Sequence, residues 1–462
     1  MPKPFVQSLG DLLGKDNVLT SEPELLCYSY DATALVSSRP DAVVRAKTEE
    51  DIAKTLAFAA QEGIPVTPRG SGTGLSGGSV PVKGGIVLLT TAMDRILEID
   101  ADNLSVTVEP GVITANIHAA VEAQGLFYPP DPGSMKISTI GGNVSENAGG
   151  LRGLKYGITG DYVMVLDTYL VEGSKVHYGT KCVKDVAGYN LTKFLVGTEG
   201  TIGVFSKITL KLIPKPQTKK TFLALYDDVL DAARTVSMII SRKVIPSTLE
   251  FMDSATINCV EDYAKIGLPR DVAALLLIET DGHPQVVLEE AARIEEACAA
   301  NRVRTLRVAQ DLKESEELFT ARRMALSALA QVRPTTILED ITVPRSRIPE
   351  IMAAITEAAA KYSIKIATFG HAGDGNLHPT CLTDERDKEE MRRVEEAYDV
   401  IVRKAISLGG TISGEHGTGV SKLKYLPAMV GPKAIDVMRR IKAAFDPEGR
   451  LNPGKIFPKD AE

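Results

Sequence analysis

Residues 69–78 read RGSGTGLSGG, with glycine at 70, 72, 74, 77 and 78. That density of glycine removes side chains and opens the left-handed backbone region. Successive N–H groups can then turn toward one point and form a nest for phosphate oxygens, for which a pyrophosphate is the natural guest. A flexible linker is the plainer reading, but it would interrupt a compact domain, since a predicted strand (IPVTPRG, 64–70) runs straight into the segment. Gly72, Gly74 and Gly77 also match GxGxxG, and Asp94 follows about 20 residues on, where a dinucleotide fold places its acidic residue. Such a motif has to open a helix. Here Ser79-Val80-Pro81-Val82-Lys83-Gly84-Gly85 leads into another apolar run, so context rejects the match.

Upstream, DAVVRA (41–46) predicts a strand and TEEDIAKTLAFAAQE (48–62) a helix, which with IPVTPRG makes a βαβ unit. Downstream to about 215 the chain is rich in Gly, Pro, Ser and Thr between short β-like runs: IVLLT, LSVTVEP, YVMVLDTYLVEG and GVFSKITLKLI. Three more loops repeat the small-residue theme, DPGSM (131–135), TIGGNVSENAGG (139–150) and GTEGTIG (197–203). Four such loops in one domain suit a long ligand touched at several places, and FAD fits that better than a mononucleotide.

IPKPQTKK (213–220) carries two prolines and a cluster of charge, which suits a domain crossing. Beyond it strands and helices alternate: TFLALY, a helix near 228–241, STLEFMD, AALLLIET, QVVLEEAARIEEACAANR and VRTLRVA. A helix near 311–330, the strand TILEDITVP, a helix near 347–361 and a strand-rich stretch at 364–382 complete an α+β or split-βαβ layout.

The 462 residues are 44% hydrophobic, enough for more than one core, and the net charge is −7 with no long basic run, which speaks against nucleic acid. No stretch approaches ~18 consecutive apolar residues, so no transmembrane segment is expected. The N-terminal sequence lacks the apolar core of a signal peptide, and the expected location is cytoplasmic, free or peripheral at the membrane. Cys27, Cys182, Cys259, Cys298 and Cys381 are scattered, without zinc or iron-sulfur spacing. Electrons handled by this chain therefore need an organic cofactor and a separate acceptor: an electron-transferring flavoprotein, an iron-sulfur subunit, a quinone or a cytochrome.

The segments RGSGTGLSGGS, DPGS, TIGGNVSENAGG and GTEGTIG resemble the FAD domain of the vanillyl-alcohol-oxidase superfamily. The resemblance extends to the C-terminal FDPEGRLNPGKIF and lies with the branch that holds D-lactate dehydrogenases and the flavin subunit of glycolate oxidase. It implies an α+β protein: a two-subdomain FAD-binding domain over 1–216 (about 36–95 and 96–216), a ferredoxin-like substrate or cap domain over 217–425, and a segment 426–462 returning to the first. It implies FAD held by Arg69, Gly70, Ser71, Gly72, Thr73, Gly74, Gly77, Gly78 and Ser79, and by Pro132, Gly133 and Ser134. Thr139, Gly141, Gly142, Asn143, Ser145, Gly149, Tyr156, Gly157, Glu199, Gly200, Ile202 and Asn452 complete the set. Relatives with covalent FAD often link it through a loop histidine; this glycine loop has none, so non-covalent FAD is expected.

Three of the six histidines fall in GHAGDGNLHP (370–379) and SGEHGTG (413–419). Asp374-Gly375 is a two-residue hairpin signal, and folding about it places His371 opposite His378 on one face. Opposed side chains at that spacing can reach a single metal ion. Glu415 is the best third ligand, and Gly414, Gly417 and Gly419 allow the turned backbone that would bring Glu415 and His416 to one site. Two His and one carboxylate leave coordination positions open, as a catalytic metal needs; Zn, Mn and Fe all accept this set. Read without a metal, the histidines are satisfied turn residues and Glu415 a helix cap. The resemblance places a divalent metal on His371, His378 and Glu415, and the catalytic base on His416.

Such an enzyme removes the Cα hydrogen of a 2-hydroxy acid as hydride while the hydroxyl loses a proton to His416. The resemblance assigns the substrate carboxylate to Arg322, from Phe319-Thr320-Ala321-Arg322, with Arg323 as competitor. Relatives acting on 2-hydroxyglutarate carry Thr and Lys where this chain has Leu326 and Leu338, so a short monocarboxylate is expected, D-lactate before glycolate. Two other classes remain, an NAD-dependent metal-assisted dehydrogenase and a non-catalytic FAD-binding electron carrier. The missing helix after Gly77 opposes the first, and the intact His371, His378, Glu415 and His416 oppose the second.

Overall fold

The computed structural model describes residues 4–458. They form two compact units, one over 4–148, 158–215 and 415–458, the other over 149–157 and 216–414. Two short segments thus fold differently from the sequence-based division: 149–157 goes with the second unit and 415–425 with the first.

The first unit opens as the expected βαβ. Strands Ala42–Arg45 and Val66–Arg69 both run parallel to Ile86–Leu89, which lies between them, and Val18–Leu19 closes the edge. Helix Glu49–Glu62 begins with a capping box between Thr48 and Asp51 and ends on Gly63 in the left-handed region. Its Ile52, Leu56 and Ala59 are buried against Val44, Val66 and Leu88, and burying Ile52 or Leu56 contributes about 1.5–3 kcal/mol each. Leu451 joins this core by pairing with Val66, so the C-terminal segment is built into the sheet.

A five-stranded antiparallel sheet follows, in the order Ile96–Asp100, Ser105–Val108, Val204–Lys211, Val163–Tyr169, Lys175–Gly179. Alternate residues Val106, Val108, Leu166, Ile208 and Leu210 face one core with Ile140 and Val144 of helix Ile140–Glu146. That packing fixes the entrance of the helix, and with it Thr139.

The second unit is one antiparallel sheet with helices. Its path runs Thr305–Val308, Thr218–Tyr226, Ala274–Gly282, Thr248–Asp253, Ile366–His371, Asn376–Thr383, Thr335–Leu338, with Ile341–Thr342 also on Asn376–Thr383. The helix expected near 311–330 is two, Leu312–Arg323 and Ala325–Leu329: Met324 has φ −80° and ψ −3°, which ends the first and turns Ala325, Ala328 and Leu329 into the core. The histidine hairpin has a different register from the one Asp374-Gly375 predicts. His371 pairs with Asn376 and His378 with Phe369, so the loop is four residues, 372–375. Contacts from elsewhere set its length: Gly373 N–H donates to Leu249 O at 3.0 Å and Val343 N–H to Gly375 O at 3.1 Å. Among the described residues no helix is long and apolar enough to cross a membrane.

Candidate active site

In the first unit, strand Val66–Arg69 delivers the glycine segment into irregular loop, and no helix forms before Ile86–Leu89. This confirms the rejection of the dinucleotide fingerprint. Gly72 and Gly77 hold left-handed backbone, with φ of 73° and 79°. Arg69 is buried, donates to Ser79 O at 3.3 Å and lies over the Tyr28 ring. Gly70 stands against the second loop: a Cβ there would come 2.1 Å from Thr139 Oγ1, and one on Gly141 would come 2.7 Å from Pro110 Cβ. Thr139 caps its helix by accepting the Gly142 N–H, Asn143 Nδ2 donates to Thr114 Oγ1 at 2.6 Å, and Ser145 Oγ donates to Gly141 O.

Glu199 N–H donates to Ser145 O at 2.8 Å, which ties the 197–203 loop to the second. Asn452 Nδ2 then donates to both Gly78 O (2.9 Å) and Glu199 O (2.7 Å). One buried amide from the C-terminal segment thereby joins the glycine segment to the Glu199 loop, while Gly200 packs on Pro68 and Ile202 is buried in the core. Pro132, Gly133 and Ser134 form a turn of their own, closed by Met135 N–H to Pro132 O, and a Cβ on Gly133 would enter open space. Ser71, Thr73 and Gly74 keep partial or full exposure. The Ser76 and Ser138 hydroxyls and the Asn452 amide oxygen are buried with no hydrogen-bond partner among the described residues. Crowded glycines beside unsatisfied buried polar atoms suit a long polar cofactor such as FAD.

Gly149, Tyr156 and Gly157 belong to the second unit, where the Tyr156 hydroxyl donates to Asp281 Oδ2 at 2.8 Å beside the Lys155–Asp281 ion pair. The Glu199 side chain has a role that the sequence reading does not include. Its two carboxylate oxygens accept the N–H groups of Thr418 and Gly419, both at 2.7 Å, so its side chain fixes the loop that carries His416. Gly417 and Gly419 have φ of 80° and 50°, the turned backbone that their glycines allowed, and His416 Nε2 is 3.6 Å from Glu415 Oε1. A Cβ on Gly417 would come 2.3 Å from Glu146 Oε2. Burial, and then the neighbouring Glu199, hold the Glu146 carboxyl well above the usual carboxylate range.

In the second unit His371 and His378 lie diagonally on one face of the hairpin, both buried, with ring centroids 5.4 Å apart and planes at 88°. His371 Nδ1 is 2.7 Å from Glu250 Oε1. A carboxylate only accepts, so Nδ1 carries the hydrogen, and in the neutral ring Nε2 is then the nitrogen with the lone pair. His378 Nδ1 lies 3.8 Å from Asp340 Oδ1. The same Asp340 oxygen accepts Asn376 Nδ2 (2.7 Å), while Oδ2 accepts Ser413 Oγ (2.7 Å) and Gly414 N–H (2.9 Å). Gly414 immediately precedes Glu415, so this buried carboxylate fixes the backbone from which Glu415 leaves.

Arg322 lies in the last turn of helix Leu312–Arg323 and is 4% exposed, whereas Arg323 is half-buried. Its guanidinium lies over the Phe369 ring at 4.8 Å, with Nη2 in an ion pair 2.6 Å from Glu250 Oε2, and neither its buried Nε nor Nη2 makes a hydrogen bond among the described residues. A buried cation with a spare donor can take a small carboxylate. Leu326 and Leu338 pack against the apolar core. Glu250 and Asp340 carry no distinguishing signal in the sequence: alternation in STLEFMD gives Glu250 no special mark, and Asp340 is one carboxylate within TILEDITVP.

The family model described as FAD linked oxidases, C-terminal domain, matches residues 215–456, and the FAD binding domain model matches 40–179. The chain is 54% identical over 459 residues to the glycolate oxidase subunit GlcD of Bacillus subtilis (strain 168), covering 99% of this chain and 98% of that protein. It is 36% identical over 446 residues to a D-lactate dehydrogenase of Anaerostipes hadrus, covering 94% and 93%. The crystal structure of p-cresol methylhydroxylase with substrate bound matches with a TM-score of 0.82 at 18% identity, over 97% of this chain and 95% of that one, a likeness of fold. With both domain models in one polypeptide and a relative alike along nearly its whole length, the chain belongs to the FAD-linked oxidase family and is an FAD-linked oxidoreductase with the vanillyl-alcohol-oxidase type of fold.

Proposed function

We propose that the protein dehydrogenates a short 2-hydroxy monocarboxylic acid, glycolate first and D-lactate second, with non-covalent FAD and a divalent ion. The observation that carries this reading is the buried pair His371 and His378 beside Arg322, whose Nε awaits an acceptor. The donor chemistry suits a metal: with Nδ1 bonded to Glu250, Nε2 is the His371 atom that would ligate, His378 shares its face, and Glu415 follows the pinned Gly414. When bound, FAD supplies a hydride acceptor and the divalent ion a Lewis acid. Arg322 receives the substrate carboxylate on its spare donors and so orients Cα. His416 accepts the hydroxyl proton on an imidazole nitrogen, the role of a general base.

Leu326 and Leu338 offer no partner to a second carboxylate, which favours a monocarboxylate over 2-hydroxyglutarate. The 54% identity to a protein named glycolate oxidase subunit supports glycolate over the D-lactate that the sequence alone put first, and the word subunit supports a separate electron acceptor. That fits a chain whose cysteines lack cluster spacing.

Anaerobic mixing of the purified yellow protein with glycolate, D-lactate, L-lactate and D-2-hydroxyglutarate, with metal analysis of the same sample, tests this. Rapid bleaching by glycolate or D-lactate without NAD, with stoichiometric metal, is expected. Bleaching by 2-hydroxyglutarate alone overturns the substrate assignment.

A further inference from the structure

Glu250 is fully buried in the middle of strand Thr248–Asp253, between the partner strands Ala274–Gly282 and Ile366–His371. Its two oxygens go to different partners, Oε1 to His371 Nδ1 at 2.7 Å and Oε2 to Arg322 Nη2 at 2.6 Å. Burying a carboxylate is expensive unless each oxygen meets a donor or a cation, and here both do. The partners are not equivalent. One is an imidazole in the proposed metal set, and the other is the cation proposed to receive the substrate carboxylate.

We propose that Glu250 is a positioning residue that ties the metal ligand His371 to the carboxylate-binding Arg322, so that one buried side chain sets both metal affinity and substrate affinity. This rests on the function proposed above. By accepting the Nδ1 hydrogen, Glu250 fixes Nε2 as the ligating atom and makes the ring a stronger donor to a cation. By its ion pair with Nη2, it anchors the guanidinium, whose Nη2 and Nε both lack a hydrogen-bond acceptor among the described residues. A purely structural carboxylate would support the fold without linking these two affinities.

The test uses the full-length, FAD-loaded protein. Zn2+ and Mn2+ are titrated against a competing chelator, and KM and kcat for glycolate are measured in parallel. In Glu250→Gln an amide of the same shape faces both partners without charge, and its NH2 group opposes the arginine. Metal affinity is expected to fall about 10–100-fold, as for other partners of metal-bound histidines, with KM raised and flavin content unchanged. Unaltered metal affinity overturns the inference. In Glu250→Asp the charge stays but the carboxylate is drawn back by one methylene, enough to reach one partner. It restores either metal affinity or KM; restoring both or neither overturns the bridge. This second variant also decides the matter if the Gln protein does not fold. Wild-type protein that binds neither ion sinks the metal reading itself, a result distinct from an ion that binds with no sensitivity to Glu250.

Discussion

Asp340 holds Gly414 through a 2.9 Å hydrogen bond from the Gly414 N–H to Oδ2, and that bond decides where the chain leaves for Glu415 and His416. The same carboxylate, wholly buried, also accepts Ser413 Oγ and Asn376 Nδ2. Asp340→Ala therefore removes the acceptor from the buried Asn376 Nδ2, which keeps only Ile341 O, and from the part-buried Ser413 Oγ and Gly414 N–H, and the loss at the buried donor costs about 1–3 kcal/mol. The expected outcome is a urea unfolding midpoint lowered by a comparable free energy, together with weaker binding of the divalent ion. A variant with wild-type stability would show that water replaces the lost acceptor.

His416→Ala separates chemistry from cofactor binding. Every glycine-segment residue, Thr139 to Ser145, Glu199 and Asn452 remain as they are, so flavin content stays stoichiometric. Anaerobic flavin reduction by glycolate slows by about 10²–10⁴-fold, the usual worth of a general base. His371→Ala and His378→Ala are expected to keep the flavin as well but to lose the proposed divalent ion. Wild-type reduction by the His416 variant would place the base elsewhere.

Gly70 and Gly133 make a matched pair. An alanine Cβ at 70 meets Thr139 Oγ1 at 2.1 Å, while one at 133 meets nothing within 4 Å. Thr139 is buried and caps its helix, so it cannot step aside cheaply. Gly70→Ala is expected to lower the flavin-to-protein absorbance ratio severalfold and to reduce thermal stability. Gly133→Ala leaves stability unchanged, so any flavin loss in it reports a direct clash with the cofactor.

The parts of this molecule readable in sequence are those set by neighbours along the chain. The βαβ opening followed from periodicity, and the structure closes its helix with caps within a few residues, Thr48, Asp51 and Gly63. The shared face of His371 and His378 was readable because alternation is local, but their register was not, since Leu249 and Val343 hold the turn from other strands. Glu199 lay in a cofactor-like loop by sequence, yet its carboxylate serves N–H groups 219 and 220 residues away. Glu250 reaches His371 across 121 residues. Alternation in its strand cannot tell a carboxylate that meets water from one that meets an imidazole and a guanidinium.

Asp253 should leave a signature in the pH dependence of stability. It caps helix Ser254–Ala264 through Thr256 N–H (2.8 Å) and accepts Thr368 N–H (2.7 Å). Burial is the largest influence and outweighs both donors, pushing the carboxyl up to about 6, against ~3.9 for an aspartate in an unfolded chain. Between these values the folded protein binds more protons than the unfolded one, so stability must fall as pH rises. The contribution is complete below about pH 4 and is lost as pH climbs through about 6. Asp253→Asn cannot titrate, so its unfolding free energy should decline less steeply across this window, by at most about 1.4 kcal/mol per pH unit relative to wild type. Carboxylates elsewhere titrate alike in both proteins and cancel in the difference. Urea unfolding at half-unit steps from pH 4 to 7 measures it, and parallel curves would mean that Asp253 stays ionised throughout.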